Sequence, residues 1–330
     1  MRMTTRYVGA AALVGVGLFL QAPWTTGIAA QAIPESRLSV VWSVNLGEAS
    51  RAGFSRFAAC ADGSVVSYER PGRLFKVSPA GTPLVARGDA AYDDVLSIDC
   101  GADGVVRAYQ FLHGRRTRLL EFAQADLRPI RGLDLEPNGS WPGAVKYLDG
   151  APRVVLAGPG GELLARLDGS AVVERFGERP APPGGVLRLK VVPAFTPLFF
   201  RTDRQRLVYL QTSDYAILEF DRDGTRRGVW RRPAEPGVTL RLARGGAVPT
   251  NAGVVGAAML PDNRLAVHLH APSSRPASYL ELLDSRYDVT AYLPVPRKGT
   301  LFGVDADGAL YFSHVSPKGI IVWKAVIAQA

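Results

Sequence analysis

The residues best suited to recognising a ligand are basic side chains in two short stretches with the same pattern. Residues 185–190 read Gly-Val-Leu-Arg-Leu-Lys, and residues 237–243 read Gly-Val-Thr-Leu-Arg-Leu-Ala. Alternate residues of an extended strand point to opposite faces. The first stretch therefore places Arg188 and Lys190 on one face and its leucines on the other, and the second stretch does the same for Arg241. Cations converging from both stretches could bind a carboxylate, a phosphate or an acidic protein surface. The predicted ligand-binding residues are Arg188, Lys190, Arg241 and Arg244. The alternative is a pair of amphipathic strands with a solvated polar face.

The histidines and aspartates are the residues that could bind a metal ion. His268 and His270 are spaced to share one strand face, but no third ligand lies beside them, and a catalytic zinc normally has three protein ligands. Residues 221–224 and 305–308 resemble fragments of calcium loops without the distal Glu and flanking helices. We interpret these aspartates as turn residues. The sequence predicts no metal site and no cofactor.

Nucleophilic catalysis finds little support, because the chain has no Gly-x-Ser-x-Gly elbow and neither cysteine has a histidine in its sequence context. We predict no catalytic residue. Cys60 and Cys100 would instead occupy equivalent ends of neighbouring strands. A disulfide between them requires their Cα atoms to lie within about 7 Å, and the sequence leaves that question open.

Composition and charge narrow the function further. Hydrophobic residues make up 47% of the chain, with 35 Gly and 24 Pro, which is typical of a packed globular protein rich in turns. The formal net charge is +9. The basic residues are scattered rather than gathered on one helix or face, as they would be in a nucleic-acid-binding protein. We therefore predict no nucleic-acid partner.

The N-terminal residues have the pattern of a secretory signal. Arg2 and Arg6 precede an apolar run over residues 8–20, and residues 30–32 offer the small-x-small cleavage site Ala-Gln-Ala. The apolar run is short for a membrane span, which needs about 20 residues. We predict a signal peptide at 1–32 and a mature domain at 33–330 that is periplasmic or secreted, with no membrane span after cleavage. An uncleaved anchor is the alternative.

The elements that would position the basic residues are best read from residues 197–232, where four apolar runs are separated by three polar turns. Such a unit predicts four short antiparallel strands, and the unit repeats. Five segments have a first turn followed about 20 residues later by a second. The first turns lie at Asp62-Gly63, Asp103-Gly104, Asp149-Gly150, Asp203-Arg204 and Asp262-Asn263.

A sixth unit starts at the turn in residues 305–308, but only one more strand follows, over residues 319–326. Residues 38–46 form a strand with no unit of its own. Pairing this strand with the last one closes a ring and removes two open sheet edges. The prediction is an all-β, six-bladed β-propeller of four-stranded antiparallel blades, the last blade closed by the N-terminal strand. Merging or splitting weak units would give five or seven blades.

The repeat resembles the six-bladed propellers of the NHL, TolB-like and gluconolactonase-like superfamily. The resemblance lies in an inner strand, an Asp-Gly turn and a second strand, as in residues 60–66, 100–106 and 304–311. It implies a fold rather than one activity. Gluconolactonase-like enzymes hold a divalent cation in the channel, whereas the inner strands here offer Asp99 as the one acidic residue against Arg56, Lys146 and Arg201. Acidic residues in the connections between blades could compensate.

Two functions follow from these observations. The first is a monomeric, non-catalytic exported propeller that binds a protein or an anionic small molecule through one ring face, where the longer connections after the third and fourth blades lie. The alternative is a metal-dependent lactonase-type hydrolase or lyase with its site at the central channel.

Overall fold

A computed structural model of the chain describes 15 segments. These are residues 36–47, 55–69, 72–89, 92–112, 116–135, 141–148, 150–157, 162–178, 197–212, 215–231, 240–243, 246–249, 253–270, 278–316 and 319–328. The predicted signal peptide lies outside them. The described residues form 26 strands and no α-helix. No helix suited to crossing a membrane is found among them.

Twenty-four strands form six four-stranded antiparallel sheets, and each sheet is one blade. The N-terminal strand β1 belongs to blade 6, and blade 1 begins with the next strand in the chain, β2. The strands are: in blade 1, β2 (Ser55–Ala59), β3 (Val65–Glu69), β4 (Arg73–Val77) and β5 (Pro83–Gly88); in blade 2, β6 (Val95–Cys100), β7 (Val105–Leu112), β8 (Arg116–Ala123) and β9 (Pro129–Leu135); in blade 3, β10 (Trp141–Leu148), β11 (Ala151–Ala157), β12 (Glu162–Asp168) and β13 (Ala171–Glu178).

The second half of the ring follows the same order. Its strands are: in blade 4, β14 (Leu198–Arg201), β15 (Arg206–Gln211), β16 (Ala216–Phe220) and β17 (Arg226–Arg231); in blade 5, β20 (Gly253–Met259), β21 (Leu265–His270), β22 (Ser278–Leu283) and β23 (Val289–Pro294); in blade 6, β24 (Thr300–Val304), β25 (Leu310–Ser316), β26 (Gly319–Ala328) and β1 (Arg37–Asn45). Between blades 4 and 5, β18 (Leu240–Ala243) and β19 (Gly246–Pro249) form a separate two-stranded hairpin.

The six-bladed propeller predicted from the sequence is confirmed, including its closure by the N-terminal strand. β1 pairs antiparallel with β26 from Arg37 opposite Ala328 to Asn45 opposite Ile321. Blade 6 therefore takes one strand from the start of the chain and three from its end. This pairing covers an edge of β26 that would otherwise expose unpaired backbone groups.

The predicted turns form because aspartate and glycine satisfy their backbone requirements. Asp62 Oδ1 accepts a hydrogen bond from the Ser64 amide at 2.9 Å, and Asp305 Oδ1 accepts from the Ala309 amide at 2.9 Å. Gly63 and Gly308 have φ angles of +81° and +82°, a region that side chains disfavour. The interpretation of residues 305–308 as a turn rather than a calcium loop agrees with this geometry.

The core of the ring lies between the blades rather than within any one of them. The buried hydrophobic residues fall into six clusters, one at each junction of neighbouring blades in the described part of the chain. Ile217 of blade 4, for example, belongs to the same cluster as Val267 of blade 5. A sheet face buries its apolar side chains only against the next sheet, so the blades depend on one another for stability.

One feature of the outer strands was not evident in the sequence. The fourth strand of each blade has an extra residue at the same register position in its pairing with the third strand. The bulged residues are Val41, Leu84, Ile130, Val173, Arg227 and Thr290. Bulges disrupt the ladder at a sheet edge and so hinder pairing with another chain. Every blade of the ring has this protection.

Candidate functional site

The predicted basic site lies mostly outside the residues that the structure describes. Arg188, Lys190 and Arg244 are all outside them. Arg241 belongs to β18, where its backbone lies opposite Val248 of β19. The second alternating stretch is thus a strand of an extra hairpin in the connection from blade 4 to blade 5. The convergence of the four basic residues on one ligand stays a prediction.

The charged side chains of the inner strands take part in contacts between neighbouring blades. Arg56 Nε of blade 1 donates to the Leu96 carbonyl of blade 2 at 2.6 Å. Asp99 Oδ1 of blade 2 lies 2.9 Å from Lys146 Nζ of blade 3, and its Oδ2 accepts from the Tyr147 amide at 2.6 Å. Asp99 is only 2% exposed. These groups hold adjacent blades together.

Glu219 is the centre of a larger network in blade 4. Its carboxylate lies 3.3 Å from Nη1 of the fully buried Arg201 and 2.7 Å from Nη1 of Arg206. Arg201 also pairs with Asp203 and donates to the Ser285 carbonyl of blade 5 at 2.9 Å. Burial alone would raise the pKa of Glu219, but the hydrogen bonds and charges around it hold that pKa below its ordinary value.

Two tyrosine–glutamate hydrogen bonds cross the junction of blades 4 and 5 in opposite directions. Tyr215 of blade 4 donates to Glu281 Oε2 of blade 5 at 2.7 Å, and Tyr287 of blade 5 donates to Glu219 Oε1 of blade 4 at 2.5 Å. The Trp230 ring contacts both tyrosine rings, with centroids 5.8 and 6.3 Å apart. Both tyrosines have positive φ, an unfavourable conformation for a bulky residue. The reciprocal bonds offset that cost.

His268 is a structural residue of the junction between blades 5 and 6. Its Nδ1 accepts from the Leu301 amide at 3.1 Å, so the other nitrogen carries the proton and donates to Ser278 Oγ at 2.6 Å. Burial, with a smaller effect of the charge on His270, lowers the pKa of His268 to about 3. Both ring nitrogens of His268 are thus bonded within the protein. Among the described residues, no group of three or more His, Cys, Asp or Glu is arranged to hold a metal ion.

Blade 6 is joined to blade 1 around Asp305. Its carboxylate lies 2.9 Å from Lys324 Nζ and 2.8 Å from the Tyr311 hydroxyl, which is also 2.8 Å from the Gly63 carbonyl of blade 1. Burial would raise the pKa of Asp305, but Lys324, Tyr311 and the turn amide of Ala309 together hold it below its ordinary value. The turn aspartate thus also helps to hold blade 6 against blade 1.

Cys60 and Cys100 form a disulfide between blades 1 and 2 in the structure, with Cα atoms 5.0 Å apart. They are not at equivalent positions, contrary to our expectation. The Cys60 amide donates to the Ser64 carbonyl, and in blade 2 the corresponding bond is made by Gly101 to Val105. Cys100 is therefore one residue earlier. Side chains alternate between the two faces of a strand. Equivalent residues of two blades would therefore point in the same direction around the ring. A pair offset by one residue points toward each other and can form the bond.

A repeated charged position in the third strands was not predicted from the sequence. Opposite the bulge of the outer strand, five of the six blades have an ionisable residue and blade 5 has Leu282. The five residues are Lys76, Glu121, Arg166, Glu219 and Lys324. In blades 1 to 4 this position lies two residues before the one that opens the second turn. That fixed distance could have revealed it.

A cleft of about 390 Å³ lies between blades 2 and 3. Its blade 2 wall contains part of a row of alternating charge that runs across all four strands. The row consists of Asp99, Arg107, Glu121 and Arg131. Arg107 Nε lies 3.2 Å from Glu121 Oε1, and Arg131 Nε lies 2.6 Å from Glu121 Oε2. Arg107 also makes two bonds to Asp103, at 3.0 and 2.6 Å.

The blade 3 wall of the cleft combines apolar and charged residues. It includes Tyr147, Pro152, Arg166 and Asp168, together with the turn residues Gly150 and Gly169. The Arg107 guanidinium lies 4.0 Å from the centroid of the Tyr147 ring and joins the two walls at the base. The cleft therefore has charged residues on both of its walls.

No protein-family model matches the chain, and no curated protein matches it. Solved structures do resemble it. A streptogramin B lyase structure has a TM-score of 0.51 at 11% identity, covering 89% of this chain and 98% of that one. A protein of unknown function from Bacteroides thetaiotaomicron has a TM-score of 0.52 at 11% identity, covering 88% and 76%. Hydrazine synthase from Kuenenia stuttgartiensis has a TM-score of 0.50 at 11% identity, covering 78% and 72%. At these identities the likeness shows the fold alone, and it agrees with the ring of six sheets: the chain is a six-bladed β-propeller.

Proposed function

We propose that this protein is an exported, non-catalytic propeller that binds a protein or an anionic ligand through one face of the ring. The proposal rests mainly on one observation: the charged side chains of the inner strands are already bonded to other groups of the protein. Arg56, Asp99, Lys146 and Arg201 all bond to groups of a neighbouring blade. Their side chains serve the scaffold, which leaves ligand contacts to the rim.

The face that we assign to binding is the one where the chain passes from blade to blade. The connection from blade 4 to blade 5 contains the β18–β19 hairpin, an element outside the six sheets. It carries Arg241, and the connection from blade 3 to blade 4 carries Arg188 and Lys190. Guanidinium groups held on a rigid ring are suited to carboxylates and phosphates.

Export is supported by two features of the chain. Residues 1–32 have the composition of a signal peptide. The disulfide between Cys60 and Cys100 would form and persist in an oxidising compartment such as the periplasm or the cell exterior. Both features favour a mature protein that works outside the cytoplasm.

The proposal is tested with a fluorescent oligo-glutamate peptide titrated against the full mature chain, with anisotropy as the readout. We expect saturable binding that weakens at least about tenfold in the double variant Arg188→Ala, Arg241→Ala. The matched control is Arg226→Ala, Arg231→Ala, which removes two exposed charges from the outer strand of blade 4. If both double variants weakened binding equally, the interaction would depend only on the net charge of the protein, and the assignment to Arg188 and Arg241 would be wrong.

The alternative is a metal-dependent hydrolase or lyase that acts at the channel, and the metal content of the protein distinguishes it from the proposal. Elemental analysis of the purified mature protein would find a divalent metal in stoichiometric amount. We expect none above the background level.

A further inference from the structure

The outer strands of the six blades differ in how well their open edges are protected. Each strand has one bulged residue, and beyond the bulge five of the six strands contain a charged residue or a proline, which hinders pairing with another chain. These residues include Arg87 in β5, Asp134 in β9, Glu174 in β13, Arg231 in β17 and Pro294 in β23. In β1 the residues beyond the bulge are Trp42-Ser-Val-Asn45, which have neither. Among the described strands, β1 therefore has the least protected outer edge.

The backbone of this part of β1 has hydrogen-bonding groups that point outward from blade 6. The Leu46 amide donates to the Ile320 carbonyl of β26. Along an antiparallel strand, successive residues direct these groups alternately to one side and to the other. The amides and carbonyls of Ser43 and Asn45 therefore point away from β26. Both residues are exposed, so their backbone groups are placed to pair with another strand.

The side chains of residues 42–46 make this stretch complementary to itself. Trp42, Val44 and Leu46 lie on the face toward blade 1, where they pack against a core cluster, and the two polar side chains lie on the other face. A second copy of the strand can lie antiparallel to the first with the two Val44 residues opposite each other. Trp42 is then opposite Leu46 of the second copy. Ser43 is likewise opposite Asn45 of the second copy. Apolar residues thus meet apolar ones, polar residues meet polar ones, and no like charges are opposed.

The bulge at Val41 favours this register over its neighbour. If the two Ser43 residues were opposite each other, Asn45 would lie opposite Val41, where the ladder of β1 is irregular. With Val44 at the centre, Ser43 and Asn45 of the two copies form two closely spaced pairs, each with two backbone hydrogen bonds. The regular pairing ends where Gly47, which has a φ angle of +102°, meets the bulge of the other copy.

From this arrangement we infer that the outer edge of β1 binds a second copy of this chain, forming a two-fold dimer by antiparallel pairing of residues 42–46. The two copies of blade 6 then form one sheet of eight strands. Each copy uses its least protected edge, so the assembly stops at two. The strands run from the turns to the connections between blades, so antiparallel pairing directs the two connection faces to opposite sides. The pairing does not depend on what those faces bind.

Sedimentation velocity of the full mature chain at increasing concentration tests the inference. We expect a monomer–dimer equilibrium in which half of the chains are dimeric below about 1 mM. Ser43→Pro removes an outward amide but no hydrogen bond to β26, so it should abolish the dimer. Val229→Lys is the control, because it changes a 46% exposed residue in the outer strand of blade 4 and should leave the dimer unchanged.

Paired charges test the register. The double variants Ser43→Lys, Asn45→Lys and Ser43→Glu, Asn45→Glu each place like charges opposite one another, so each should be monomeric where the parent is dimeric. An equimolar mixture of the two should form a mixed dimer. Ser43→Lys, Asn45→Glu in one chain places opposite charges together only if Ser43 lies opposite Asn45 of the second copy. This variant should dimerise at least as tightly as the parent.

The inference is overturned if the parent stays monomeric up to about 1 mM, or if Ser43→Pro dimerises like the parent. It is also overturned if the mixture of the Lys and Glu double variants stays monomeric. A dimer that persists in both of these double variants and is lost in Val229→Lys would place the interface on another blade, which overturns the inference as well. Thermal melts of the monomeric variants show that they are folded. Because Ser43 and Asn45 are exposed, we expect melting within a few degrees of the parent measured at low concentration, where it is monomeric.

Discussion

The hydroxyl of Tyr287 in blade 5 donates a hydrogen bond of 2.5 Å to the carboxylate of Glu219 in blade 4. Both residues are about 95% buried. A hydrogen bond to a buried carboxylate contributes more than one between neutral groups. This contact therefore ties two blades together at a point where no backbone pairing joins them.

Tyr287→Phe should destabilise the protein by roughly 1.5 to 3 kcal/mol, because it removes a donor to a buried charge. Urea unfolding of the parent and the variant measures the difference. Tyr292→Phe is the control, since Tyr292 lies in the same blade and is 51% exposed; it should cost almost nothing. If the two variants were equally stable, the bond would not contribute to holding the junction.

The architecture could be predicted because a blade needs tight reversals at fixed intervals, and these leave a local signal. Aspartate accepts from the turn amides and glycine adopts positive φ, so Asp62-Gly63 and its counterparts mark the turns within a few residues of sequence. The missing strand of the sixth unit then required a partner from the N-terminus. Local chemistry and ring closure thus predicted six blades, with five or seven as the alternatives.

The contacts between blades could not be predicted in the same way. Tyr287 and Glu219 are 68 residues apart, and Tyr311 and Gly63 are 248 apart. Their meeting depends on the twist and stagger of two sheets, which no short pattern encodes. The disulfide illustrates the difficulty, since its two cysteines looked equivalent in sequence but meet because they are offset by one residue. The cleft beside Arg131 depends on the same geometry.

Stability should fall as the pH drops below about 6.5, and His268 is the cause. Its folded pKa of about 3 lies below the unfolded value of 6.5, so between these values the unfolded chain binds one more proton than the folded chain. Each pH unit below 6.5 therefore costs up to roughly 1.4 kcal/mol. Protonation of Nδ1 would also remove the acceptor of the Leu301 amide.

Urea unfolding at pH 7.5, 6.5, 5.5 and 4.5 follows this dependence. His268→Asn keeps an acceptor near the Leu301 amide and cannot be protonated, so its stability should change less over this range even though it starts lower. His270→Gln, at a half-exposed position on the same strand, should retain the parent's slope. An unchanged slope in His268→Asn would assign the pH dependence to other groups.

The disulfide between Cys60 and Cys100 should contribute about 4 kcal/mol to stability, because it closes a loop of 40 residues in the unfolded chain. Thiol titration in denaturant should find no free thiol in protein purified from an oxidising compartment and two after reduction. The double variant Cys60→Ala, Cys100→Ala should unfold at lower urea concentration, and reductant should not shift it further. Two free thiols in the unreduced exported protein would contradict the prediction.

Removal of β1 should have a much larger effect than removal of the residues before it. A chain that begins at Ile33 lacks only the predicted signal peptide and keeps the pairing from Arg37 to Asn45, so it should unfold in one cooperative transition. A chain that begins at Gly47 exposes the edge of β26, and it also uncovers the core cluster that contains Leu38. That protein should aggregate or lose cooperative unfolding, because the open edge can pair with other chains. Size-exclusion chromatography and thermal unfolding of the two chains make the comparison. If the shorter chain were monomeric and as stable as the longer one, blade 6 would not need its N-terminal strand.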